Sequence, residues 1–171
     1  MASAPDIQEA ISYHRDGDYI SAKKIYEQLL QEDESDVDAL NNLGHVLIQQ
    51  DMPEEGLEYL GKAYQIQKDP LTLVNIARGH FAAGRGSEAA KVYEAAIEMD
   101  PDTDAAHREL GALYHRAGHY EKALEHFERV AEINTDNPQT LQLIVNICRE
   151  MEKPEKAARY ARDILRLEPE N

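Results

Sequence analysis

The chain has 171 residues, 33 acidic against 18 basic, and a formal net charge of −15 at pH 7. No stretch approaches the 18 apolar residues of a membrane span, and Met1-Ala2-Ser3-Ala4-Pro5 lacks the basic start and apolar run of a secretory signal, so an unexported, soluble, cytoplasmic chain is expected. The single cysteine, Cys148, excludes a disulfide framework and suits a reducing compartment, while the acidic balance argues against nucleic acid as a partner.

Five helical hairpins are predicted in succession. The first turn residue of each is Gly17, Asp51, Gly84, Gly118 and Glu152, at intervals of 34, 33, 34 and 34 residues. A fixed period of this length means stacked hairpins that touch only their neighbours. The first, about 3–36, sets the small Ala10 seven residues before its turn and the small Ala22 five after it, with Tyr13 four before and Tyr26 nine after. Small residues on both arms let two antiparallel helices approach, and the bulky pair fills the space around that contact. The second, 37–69, repeats the offsets with Gly44, Gly56, Leu47 and Leu60, and opens its second helix on Pro53, where no amide hydrogen is required. The third, 70–103, starts from Asp69-Pro70 as an N-cap followed by Pro, and carries Ala77, Ala89, His80 and Tyr93. The fourth, 104–137, carries Gly111, Ala123, Tyr114 and Phe127. The fifth, 138–171, opens on Asn137-Pro138 and Pro154 and has Val145, Ala157, Cys148 and Ala161 at the same offsets. Val145 is larger and Ala161 smaller than the pattern asks, so this last hairpin is expected to pack less well. Cys148 reads as a small core residue.

With Leu43-Gly44-x2-Leu47 and Leu110-Gly111-x2-Tyr114 in first helices, A-x3-[YF] in second helices, and Pro101 and Pro169 closing two hairpins, the chain resembles the tetratricopeptide repeat family over residues 3–171. The resemblance implies an all-α, right-handed superhelical solenoid of five hairpins, a single domain over 1–171. It also implies that the first helices line a concave groove holding another protein while the second helices form the outer surface. Two features depart from the family. Its large aromatic at the start of the first helix is replaced by Asp6, Leu40, Leu73, His107 and Leu141, and the closing Pro by Glu34, Lys68 and Thr135 in three hairpins.

Charge follows the same division. First helices sum to −2 and turns with second helices and linkers to −13, so an acidic outer side, read as a solvated face, backs a nearly neutral groove. Rows at fixed offsets supply the groove's residues. Three before the turn stand His14, Ile48, Phe81, His115 and Arg149; six before it Ile11, His45, Arg78, Ala112 and Asn146; nine before it Gln8, Asn42, Asn75, Glu109 and Leu143, with Asn41, Arg108 and Gln142 beside them. The candidate site is Asn41, Asn42, His45, Asn75, Arg78, Phe81, Arg108, His115, Asn146 and Arg149. Arginine forks suit carboxylates, asparagine amides can pair with an extended backbone, and Phe81 would anchor an apolar side chain, so an acidic or carboxylate-bearing peptide is the expected ligand. The competing reading is that these are ordinary exposed polar residues. No three consecutive hairpins present the lysine, asparagine and arginine set by which the family clamps chaperone tails.

No catalytic site, metal or cofactor is expected. His115 and His119 are four apart but Gly118 ends the helix between them, and Gly84-Arg85-Gly86 is a hairpin turn rather than a phosphate loop. The fifth hairpin is the exception to the acidic rule, its second arm carrying Lys153, Lys156, Arg159, Arg162 and Arg166. With Ala158, Ala161 and Leu165 expected to face water, this leaves two alternatives to a simple scaffold. One is a building block that self-associates through its last repeat, and the other a recognition arm of a longer enzyme.

Overall fold

A computed structural model describes residues 6–167, which form ten α-helices and no strand. They are α1 (Ile7–Arg15), α2 (Tyr19–Glu32), α3 (Val37–Gln49), α4 (Pro53–Ile66), α5 (Pro70–Ala82), α6 (Gly86–Met99), α7 (Asp104–Arg116), α8 (Tyr120–Ile133), α9 (Pro138–Glu150) and α10 (Pro154–Leu167). Each predicted hairpin is one consecutive pair. Pro169, expected to close the fifth, lies outside the described residues. The chain falls into two compact units, residues 1–99 with α1 to α6 and residues 100–171 with α7 to α10.

The periodic turns have a backbone cause. Gly17, Asp51, Gly84, Gly118 and Glu152 all have positive φ, between 54° and 82°. At each, the N–H of the turn residue donates to the carbonyl three residues back at 3.0–3.1 Å, and the next N–H donates to the carbonyl five back at 2.8–2.9 Å. This is the Schellman closure, which satisfies the last carbonyls of a helix and requires a left-handed residue at this point. Helix starts are as regular. Asp6, Asp18, Asp36, Asp69 and Asn137 each accept a backbone N–H from two or three residues further on, and Pro53, Pro70, Pro138 and Pro154 occupy first positions.

Packing within a hairpin follows the small residues. A Cβ added at Gly44 would lie 2.8 Å from the Gly56 carbonyl oxygen, and one added at Gly56 would lie 2.6 Å from the Gly44 carbonyl oxygen. Backbones therefore touch where α3 crosses α4, and Leu60 covers the contact. In the first unit Ala10, Ala22, Tyr26, Leu43 and Leu47 share one core; in the second Ala123, Phe127, Ile144, Val145 and Cys148 share another. Val145 is buried after all, its extra bulk taken up beside Ala157. Of α10's described residues only Ala157 is fully buried, whereas α8 buries four. Ala161 is half-buried against the core rather than facing water, and the aromatic it lacks is supplied one position earlier by Tyr160, whose hydroxyl donates to Glu128 at 2.5 Å. His80, placed in the core by its offset, is half-buried instead. Its Nδ1 accepts from Arg85 Nε at 3.1 Å, and the same guanidinium holds Glu54 with both forks, which draws the polar ring edge outward.

Candidate partner-binding groove

In the first unit α3 carries Asn41, Asn42 and His45, and α5 carries Asn75, Arg78 and Phe81. Both helices turn their Leu, Val and small residues to the partner helix, which leaves these side chains on the other flank, half-buried or exposed. Phe81 is 39% exposed. Arg78 Nη1 donates to Asn75 Oδ1 at 3.3 Å, which ties the row nine before the turn to the row six before it. Asn42 is half-buried. The amide oxygen of Asn41, by contrast, is shielded from solvent and has no hydrogen-bond partner among the described residues. Such an acceptor costs about 1–3 kcal/mol.

His45 sits edge-on to His14 of α1, ring centroids 5.0 Å apart. Burial, then the neighbouring His14 and Arg78, push its pKa down to about 4, so the ring is neutral at pH 7. His14 in turn donates from Nε2 to Gln49 Oε1 at 2.7 Å. Ile48 shares the row of His14 and Phe81 in sequence but not its role. Its side chain fills the space above Gly56 and Gly79, where an added Cβ would come within 2.9 Å and 3.1 Å of it. The two glycines leave room for the half-buried Ile48 side chain to lie against α4 and α5.

In the second unit a hollow of about 610 Å³ opens between the first helices α7 and α9. Arg108, Glu109, Ala112, His115 and Arg116 line it from α7, Leu143, Asn146, Ile147 and Glu150 from α9, and Phe127 from α8. Three of the four candidate residues in this unit thus meet at one concavity. Arg149 is exposed on α9 but does not line it. Arg108 Nη2 is paired with Asp104 at 2.8 Å, Asn146 Oδ1 accepts from Gln142 at 3.1 Å, and His115 Nε2 meets Glu150 Oε2 at 2.9 Å. His115 and His119 belong to different elements, His119 serving as the residue before α8.

Sequence reasoning missed Glu150 and Gln49. His14 with Gln49 and His115 with Glu150 are the same contact, 35 residues apart, from three before one turn to two before the next. The spacing is one period plus one residue and was available in the sequence. Surface polar residues occur at so many spacings that nothing marked these two.

Sequence profiles of the tetratricopeptide repeat match residues 13–71 and 74–138. Among curated proteins the chain is 26% identical over 110 residues, 64% of its length, to the BBSome complex member BBS4 of Bos taurus. It is 28% identical over 131 residues, 76% of its length, to the TPR repeat-containing protein MJ1428 of Methanocaldococcus jannaschii. It spans only 21% and 23% of those two proteins. Among solved structures it is similar to a crystal structure of MamA, with a TM-score of 0.76, 21% identity and 94% of each chain covered. It is also similar to YrrB, described as a TPR protein with an unusual peptide-binding site, with a TM-score of 0.65, 18% identity, and 96% of this chain and 86% of that one covered. At these identities the structural likeness establishes the all-α repeat fold.

Proposed function

Because the chain belongs to the tetratricopeptide repeat family, whose members mediate protein–protein interaction, we propose that it is a non-catalytic scaffold holding a partner's peptide segment against its first helices. The hollow between α7 and α9 carries this reading. Leu143 is 43% exposed at its wall, Phe127 and Ile147 give it an apolar base, and Arg108, Arg116 and Asn146 ring it with donors. An apolar cleft with a few convergent polar groups is the usual form of a peptide or ligand site. An apolar anchor side chain would enter the hollow. A neighbouring acidic residue of the segment would then compete with Asp104 for Arg108 and with Glu150 for His115. The peptide site named for YrrB and the complex membership named for BBS4 support an interaction role of this kind.

The test is selection of peptides from a random display library on the whole chain, followed by affinities for variants. Leu143→Asp is expected to weaken a selected peptide more than tenfold, and Arg78→Ala with Arg108→Ala to weaken it severalfold, with the helical circular dichroism unchanged. Undiminished affinity in both variants would remove the groove from consideration.

A second reading, self-association, is favoured by one feature of α10. Leu165 is 58% exposed and Ala158 is exposed, on a helix that also exposes Arg159 and Arg162 in an otherwise acidic chain.

A further inference from the structure

Each of the three first helices in the first compact unit sends one cationic or protonatable group to a common place: His14 from α1, His45 from α3 and Arg78 from α5. The two imidazoles are in edge contact at 5.0 Å, and both His14 and Arg78 act electrostatically on His45. The surroundings orient the groups. Gln49 receives the Nε2–H of His14, and Asn75 receives one Nη1 hydrogen of Arg78. All three side chains are half-buried, so they are reachable yet only partly screened by water.

We propose that His14, His45 and Arg78 form a binding site for a carboxylate carried by an acidic side chain of a partner segment, and that the site takes up a proton as it binds. The proposal rests on the groove reading and names what the first unit recognises. In the empty site, burial first, then the neighbouring His14 and Arg78, keep His45 neutral, with a pKa of about 4. A bound carboxylate reverses the sign of the nearest charge and favours the imidazolium, which can then donate to it. The bound form therefore carries more protons than the free form above pH 4, and affinity rises as pH falls from neutrality. The charged groups acting on His45 come from α1 and α5; among the described residues α2 and α4, which also pack on α3, add none. If occupancy brings His45 back to the ordinary histidine value near 6.5, binding is about tenfold tighter at pH 5.5 than at pH 7.5.

The experiment uses the full chain, with acetyl-hexaglutamate amide and acetyl-hexaglutamine amide as probes at fixed ionic strength. Affinity is measured at pH 7.5 and 5.5, and the ring protons of His45 and the methyl groups of Leu143 are followed by NMR. Hexaglutamate is expected to bind about tenfold tighter at the lower pH and to shift the His45 ring signals, and hexaglutamine to do neither. His45→Gln should reduce the pH effect, and His45→Gln joined with His14→Asn should reduce it to less than twofold. His14→Asn should weaken hexaglutamate at both pH values, which guards against a fold defect in the first variant. A pH-independent affinity, or a pH effect undiminished by His45→Gln, would overturn the site. Shifts at Leu143 with none at His45 would also overturn it while leaving the groove reading standing. Failure of library-selected peptides at Leu143 tells against the groove reading itself.

Discussion

At the residue scale the turn positions are the most informative. Five residues must adopt positive φ, and three are glycine, which does so without a Cβ penalty. Asp51 and Glu152 take the same conformation with side chains. Aspartate reaches the left-handed region more readily than glutamate because its short polar side chain bonds locally, so the greater strain lies at Glu152. Glu152→Gly is expected to stabilise the chain by about 0.5–1 kcal/mol, a rise of a few degrees in melting temperature. Asp51→Gly should gain less. A melting temperature lowered by Glu152→Gly would show that the left-handed closure is not limiting there. The groove residues were legible at this scale as types in rows. Their individual fates were not, because Asn41's shielded oxygen and Arg149's position off the hollow depend on neighbours in other helices.

At the scale of elements, what matters is how closely two helices approach. The α3–α4 crossing brings backbone against backbone through Gly44 and Gly56, and backbone cannot rotate out of the way as a side-chain tip can. Gly56→Ala is expected to cost about 1–3 kcal/mol by forcing α3 and α4 apart. Gly61→Ala on the same helix α4, where an added Cβ meets nothing within 4 Å, should instead gain up to about 1 kcal/mol through helix propensity. Chemical denaturation of the two variants side by side checks both signs, and equal effects would refute the contact. Small residues at matching offsets gave this crossing away in the sequence. The packing of Ile48 over α4 and α5 did not show, because it follows from glycines at 56 and 79 on two other helices. Nor did the His115–Glu150 and His14–Gln49 contacts, which join successive hairpins at the mouths of their first helices.

For the whole molecule, the uneven charge bears on the reading of self-association. Thirteen of the fifteen net negative charges belong to turns, second helices and linkers, yet the α10 arm is neutral and exposes Arg159, Arg162, Ala158 and Leu165. Contact between this helix and the acidic second helices of another copy would strengthen at low salt, where the screening length grows from about 10 Å at 0.1 M to about 30 Å at 0.01 M. If self-association operates, light scattering should show the mean mass rising with concentration at 0.01 M salt and falling towards the monomer at 0.5 M. Arg159→Glu with Arg162→Glu should abolish the rise. A strict monomer at high concentration and low salt would dispose of the second reading.

The sequence by itself determined the repeat, its period, the turns and the small residues at which paired helices approach. These are local matters: a left-handed turn, an N-cap and a first-turn proline each need a particular residue at a particular offset, and five copies make the pattern plain. Tertiary structure alone decided which members of a row share a concavity, which imidazole is kept neutral and which nominal groove residue packs over the glycines of other helices. Those outcomes depend on burial and on charges contributed by helices some thirty residues apart, and a periodic pattern repeats the positions without specifying the neighbours each one meets.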